Sequence, residues 1–144
     1  MTQQVIVPML SYADGLKALD WLTAAFGFSE KTRWLAPDGS LSHGEIELNG
    51  ARIMLATPFP NYESILQHRQ HCDTAQKLAA SPWVTDGILV YVEDIESHYQ
   101  VAKAAGAKIL SGIEEQDFGK LYRVEDFEGH RWMFLEEAKQ DDDR

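Results

Sequence analysis

Cysteine occurs once in the 144 residues, at Cys72, which excludes an internal disulfide framework and suits a reducing compartment. Apolar runs are short, and none approaches the roughly 18 residues that a bilayer-spanning helix requires. Basic residues are scarce. Thirteen Lys and Arg face 23 Asp and Glu, for a formal net charge of −10. That balance opposes binding to a phosphate backbone, so nucleic acid is not an expected partner. Part of the acidity is local, in Asp141-Asp142-Asp143 of a polar tail expected to fray. Elsewhere an acidic surface serves solubility or favours a cationic ligand. Met1-Thr2-Gln3-Gln4 carries no basic residue ahead of a strand-like run, so no export leader is expected and a cytoplasmic location is.

What the chain does contain is ordered punctuation. Residues 5–10 have the β-branched content of a strand, with Pro8 restricting it to an edge or to interrupted pairing. Asp14 is placed to cap a helix whose apolar stripe is Leu16, Leu19, Trp21, Leu22, Ala25 and Phe26, and Gly27 to stop it. Strands follow at 29–35, 41–48 and 51–57, the last two joined by Asn49-Gly50, a strong hairpin signal. The same order then returns. A strand at 87–92 leads to a cap at Asp94, a helix over 95–105 and a stop at Gly106, with strands near 107–113, 119–125 and 131–136. Asp14 and Asp94, Gly27 and Gly106, Gly50 and Gly129, and Met54 and Met133 each lie about 80 residues apart, the mark of an internal repeat.

The predicted architecture is therefore α+β: one domain over residues 1–144 built from two βαβββ modules, 5–57 and 85–137. Residues 58–84 form a proline-punctuated connector with a polar, helix-compatible stretch at 62–80, and 138–144 a polar tail.

Several of these landmarks also carry a family resemblance. Asp126-Phe127-Glu128-Gly129-His130-Arg131-Trp132 resembles the D-P-x-G-x-x-W turn and closing strand of the glyoxalase/bleomycin-resistance/dioxygenase family, the vicinal oxygen chelate superfamily, with Phe127 in the proline's place. Val92-Glu93-Asp94-Ile95 is similar to that family's V-x-D-hydrophobic junction, and Ala25-Phe26-Gly27-Phe28 to its helix ending. Pro8-Met9-Leu10-Ser11-Tyr12 and Ser42-His43-Gly44-Glu45-Ile46 resemble its glyoxalase-like bacterial branch. The resemblance implies an open, curved, eight-stranded mixed sheet with helices on the convex face and a binding cleft on the concave one. In bleomycin-resistance members it also implies a homodimer that completes the cleft.

Metal-dependent members place a ligand on the first and last strands of each module. Carried over residue by residue, those four positions fall on Val7, Met54, Gly87 and Met133. None is a carboxylate or imidazole, and a thioether suits hard divalent ions poorly. No metal and no cofactor are expected there. His68, His71 and Cys72 are a separate set of donors in the connector, either a metal-binding helical turn or simply solvated side chains. His98 and His130 are expected at the surface.

Strand alternation gives a provisional lining for the cleft. Val7 and Met9 face it while Ile6, Pro8 and Leu10 meet the helices; Gly87, Leu89 and Tyr91 face it while Ile88, Val90 and Val92 pack outward. Ile46, Leu48 and Val124 read as core, which turns His43, Glu45, Glu47, Arg123 and Glu125 to the other side. Trp132 and Phe134, with Ile53 and Leu55, suit the helix-covered face, leaving Met54 and Met133 for the cleft. Arg52 and Arg131 are expected at its rim. Trp34 and Trp83 are aromatic walls, or else core or interface residues. Glu45 and Arg123 act on a ligand or form a buried pair, and the methionines line a pocket or fill it.

Three functions fit. The first is a bleomycin-resistance-type protein that binds a small aromatic or cationic molecule without chemistry through Trp34, His43, Glu45, Met54, Trp83, Leu89, Tyr91, Arg123 and Met133. The second is a lyase, isomerase or dioxygenase using His43 and Glu45 as acid and base with Arg123 facing the oxyanion. The third is an interaction module whose sheet serves dimerisation alone.

Overall fold

In the computed structural model, which describes residues 4–139, the chain folds as β1 (Met9–Ser11), α1 (Gly15–Phe26), β2 (Ser29–Leu35), β3 (Leu41–Leu48), β4 (Ala51–Ala56), α2 (Ile65–Arg69), α3 (Asp73–Ala79), β5 (Ile88–Tyr91), α4 (Ile95–Ala104), β6 (Lys108–Gln116), β7 (Gly119–Glu125) and β8 (Arg131–Glu137). The strand-helix-strand-strand-strand order occurs twice, as the repeat predicts. The strands hydrogen-bond as two four-stranded mixed sheets, β1-β4-β3-β2 and β5-β8-β7-β6, with the first strand of each module on an edge, parallel to the last. The Asp141–Asp143 run lies outside the described residues.

Local chemistry sets the boundaries. Asp14 accepts a hydrogen bond from the Lys17 amide, and Asp94 from the Ser97 amide, satisfying helix N-terminal donors that have no intrahelical partner. Gly27 takes the left-handed conformation at φ 82° that closes α1, and Asn49-Gly50 has φ of 50° and 86°, the paired positive values of a tight hairpin. Pro8 precedes the strand; its carbonyl accepts from the Met54 amide, and pairing proper begins at Met9.

One buried cluster draws on both modules. Leu19, Leu22, Ala25 and Phe26 of α1 join Ile46, Ile53 and Leu55 of the first sheet and Val124, Trp132 and Phe134 of the second. The Phe26 ring stands 5.2 Å from Trp132 and 4.8 Å from Phe134, so the end of module one's helix packs on module two's closing strand. The outward strand residues fall where alternation places them, with Ile88, Val90 and Val92 against this core. Ile6 does not follow. It is 83% exposed, because strand pairing with β4 begins only at Met9.

Polar groups lock the seam between modules. The Tyr12 hydroxyl donates to Asp126 Oδ2 at 2.7 Å and the Trp132 indole donates to the same oxygen at 3.1 Å. Glu128 accepts from the Ala13 and Asp14 amides at 2.6 and 2.8 Å. His98, expected at the surface, is half-buried, with Nδ1 2.6 Å from the Tyr122 hydroxyl and Nε2 3.0 Å from the Phe26 carbonyl. His130 likewise turns inward, its Nε2 2.7 Å from the Ser11 carbonyl. Both imidazoles bridge modules, a role that only the docking of one module on the other creates.

Candidate functional site

The sheet faces turned away from the helices carry the sequence-predicted site residues as two groups, one per module. In the first, Met54 of β4 stands between Met9 of β1 and Glu45 of β3, while Trp34 of β2 pairs with His43 of β3. The Trp34 and His43 rings are 5.0 Å apart. Glu45 accepts from Arg52 at 2.8 Å and from the Thr32 hydroxyl at 3.0 Å, with His43 Nε2 at 3.5 Å. Desolvation opposes its charge, but the Thr32 and His43 hydrogen bonds and the Arg52 guanidinium outweigh it and hold the carboxyl below its usual range. Glu45 is thus a stable anion and a poor proton donor.

In the second group Met133 of β8 stands between Leu89 of β5 and Arg123 of β7. Arg123 Nη1 donates to Ser111 at 3.1 Å and to Glu114 at 2.5 Å, and its guanidinium lies 4.8 Å from the centre of the Trp83 ring. Glu45 and Arg123 are therefore not a buried pair. They sit on different sheets, each with partners of its own, because the two modules bring their faces together by the helices and not by these strands.

Arg131 also departs from its expected place at the rim. It is held inward by Glu125, only 1% exposed, which accepts from Arg131 Nε at 2.8 Å and from Arg69 through both oxygens at 3.0 and 2.8 Å. The remaining Arg131 donors go to the carbonyls of Ala79, Ser81 and Trp83. The connector is consequently two short helices fastened at both ends to the second sheet: Arg69 at its start, Ala79–Trp83 at its finish. Helix-compatible residues at 62–80 foreshadow the two helices, but in the sequence the buried Glu125 that receives them looks like any strand carboxylate.

Trp34, Trp83, Leu89 and Tyr91 are 63%, 56%, 47% and 57% exposed, so each module offers an open apolar surface. At the seam between modules, a cavity of about 320 Å³ is lined by Pro8, Phe28, Leu48, Arg52, Leu89 and Tyr91, within the size range of small-molecule pockets. Leu89 and Tyr91 are the predicted site residues that reach it. Leu48 reads as core in the sequence and Phe28 only as part of the helix ending, and nothing in their spacing marks them as pocket walls.

The positions where the family resemblance implies metal ligands are Val7, Met54, Gly87 and Met133, none of which offers an imidazole or carboxylate. Position 87 also has no room for a side chain, since a Cβ there would run into the Arg131 carbonyl and the Val84 side chain. These residues do not fit the divalent ion that such sheets can hold.

A double βαβββ repeat with two four-stranded mixed sheets defines a paired-module α+β class of fold. The chain belongs to the Glyoxalase/Bleomycin resistance protein/Dioxygenase superfamily, whose model matches residues 8–134. The uncharacterized protein Rv0887c of Mycobacterium tuberculosis strain H37Rv is 32% identical over 135 residues, 90% of this chain and 72% of its own length. Among solved structures, TioX from Micromonospora sp. ML1 superposes with a TM-score of 0.67 at 28% identity, covering 94% of this chain and all (100%) of that one. TnmS3, an antibiotic binding protein from Streptomyces sp. CB03234, shares the fold with a TM-score of 0.62 at 15% identity, over 96% and 100% of the two chains. No helix among the described residues is long and apolar enough to cross a membrane.

Proposed function

We propose that this protein binds a small, partly aromatic or cationic molecule on its concave sheet faces, as a cytoplasmic homodimer and without the superfamily's metal or chemistry. The observation that carries the reading is the filling of the four ligand positions by Val7, Met54, Gly87 and Met133. Methionine there replaces a point of coordination with a polarisable, adaptable surface. Trp34 and Tyr91 supply flat faces and the ionised Glu45 a fixed negative charge, the complement of a planar cation. Arg123 and Trp83 form a second polar and aromatic edge. TnmS3, with the same fold, is an antibiotic binding protein, which supports this class of role. The openness of each face in one chain supports a second subunit completing the site.

The acid-base alternative is less well supported. Glu45 is held as an anion by Arg52 and so is a poor acid, and Arg123, the only basic group assigned to a developing oxyanion, is tied to Glu114 on the other sheet.

The test is a thermal-shift screen of chelator-treated protein against planar aromatic cations, cationic glycopeptides and glutathione conjugates. A ligand at about 100 times its Kd stabilises by about 2.7 kcal/mol, or about 5–10 °C for a chain of this size. Trp34→Ala and Tyr91→Ala should cut that shift and leave the ligand-free midpoint unchanged, since both side chains are exposed. A panel without a single shift, or turnover of a glutathione conjugate, rejects the reading.

A further inference from the structure

The connector holds a set of side chains that the cleft does not use. Glu63, His68 and His71 present one donor atom each, all within 4.8 Å of one another. His68 Nδ1 lies 3.3 Å from Glu63 Oε2, and His71 Nε2 contacts the other carboxylate oxygen. All three residues are exposed. Cys72, adjacent in sequence and a candidate donor by spacing, stays out of the cluster; the third donor is Glu63, from the residue just before the α2 cap.

Donors bind a cation well only on a frame that holds them, and here the frame is specific. Ser64 and Gln67 close a reciprocal capping box around the first turn of α2. The Leu66 amide donates to the Glu128 carbonyl at 3.2 Å, Arg69 clasps Glu125, and Gln76 donates to the Arg69 carbonyl at 2.7 Å. Gly129 leaves the space that Ile65 occupies. The segment carrying the three donors is thereby fastened to the closing turn of module two.

We infer that Glu63, His68 and His71 form a binding site for one divalent ion of the zinc type, on the outside of the connector and apart from the superfamily's metal position. Two imidazoles and one carboxylate are a donor set that zinc accepts, leaving a fourth position for water. On binding, the ion takes the place of the hydrogen bonds that now link Glu63 to the two rings, and it joins the residue before α2 to the residue beyond it.

Calorimetric titration of the full chain with Zn²⁺ alone, after removal of metal by chelator and dialysis, tests the site. Saturation at about one ion per chain is expected. His68→Ala, His71→Ala and Glu63→Gln should each weaken binding at least about tenfold. Cys72→Ser should leave it intact. The Glu63, His68 and His71 variants should keep the wild-type thermal midpoint in chelator, because those three side chains are solvent-facing. Zinc-edge anomalous scattering from a soaked wild-type crystal locates the ion independently of any variant. Absence of saturable binding, affinity unchanged by both histidine substitutions, dependence on Cys72, or an anomalous peak elsewhere overturns the assignment.

Discussion

Tyr12, Asp126 and Trp132 come from three places in the chain and share one buried carboxylate oxygen. Asp126 Oδ1 also accepts from the amides of Glu128 and His130, so every acceptor direction of this residue is engaged. Burial and the Asp126 charge both push the Tyr12 hydroxyl well above its ordinary range, keeping it a donor at any physiological pH. Tyr12→Phe deletes one hydrogen bond to a charged group, and urea unfolding should report a loss of about 2 kcal/mol with an unchanged slope. His98 makes stability depend on pH. Desolvation lowers its pKa from the ordinary 6.5, with the Phe26 carbonyl opposing, so the unfolded chain binds the proton more readily than the folded one. Stability therefore falls as pH drops through about 6.5 toward the lower folded value. His98→Gln should flatten that part of a melting-temperature profile. Glu45 and Glu125, lowered from 4.5, lose their contribution only at more acidic pH, as their folded-state carboxylates take up protons.

Among elements, the connector depends most on distant partners. α2 and α3 have five and seven residues and no buried residue, too little apolar contact to hold either in place unaided. Arg131 supplies the fastening through Glu125 and three carbonyls. Arg131→Met leaves Glu125 with Arg69 alone and frees those carbonyls. It should cost about 2 kcal/mol, the loss of a charge-assisted hydrogen bond to a buried carboxylate that keeps both of its Arg69 contacts. Limited proteolysis should then cut between residues 76 and 84 well before the modules unfold, and protection equal to wild type would contradict this fastening. The other elements were legible beforehand because their ends are local events. Asp14, Gly27, Asn49-Gly50 and Asp94 each act on backbone within a few residues. The connector's path was not legible, because its partners are more than 50 residues away in sequence for Arg69 as for Arg131 and Ala79.

At the scale of the whole molecule, exposed apolar side chains on both sheets pair with a net charge of −10. Light scattering at micromolar concentration should give twice the 16.3 kDa chain mass if two subunits share the site. A monomer would limit the proposed site to the faces and seam of one chain. The repeat at about 80 residues, the caps and turns, the alternation that separates Met54 and Met133 from Trp132 and Phe134, and the lack of chelating side chains at four positions were all set by the sequence. They depend on neighbouring residues and on strand period, and so need no knowledge of what lies across the molecule. Tertiary structure alone decided that His98 and His130 face inward, that Glu125 gathers two arginines, and that Glu63 rather than Cys72 stands with His68 and His71. Those outcomes follow from which surfaces the two modules and the connector press together, and proximity of that kind has no signature in local order.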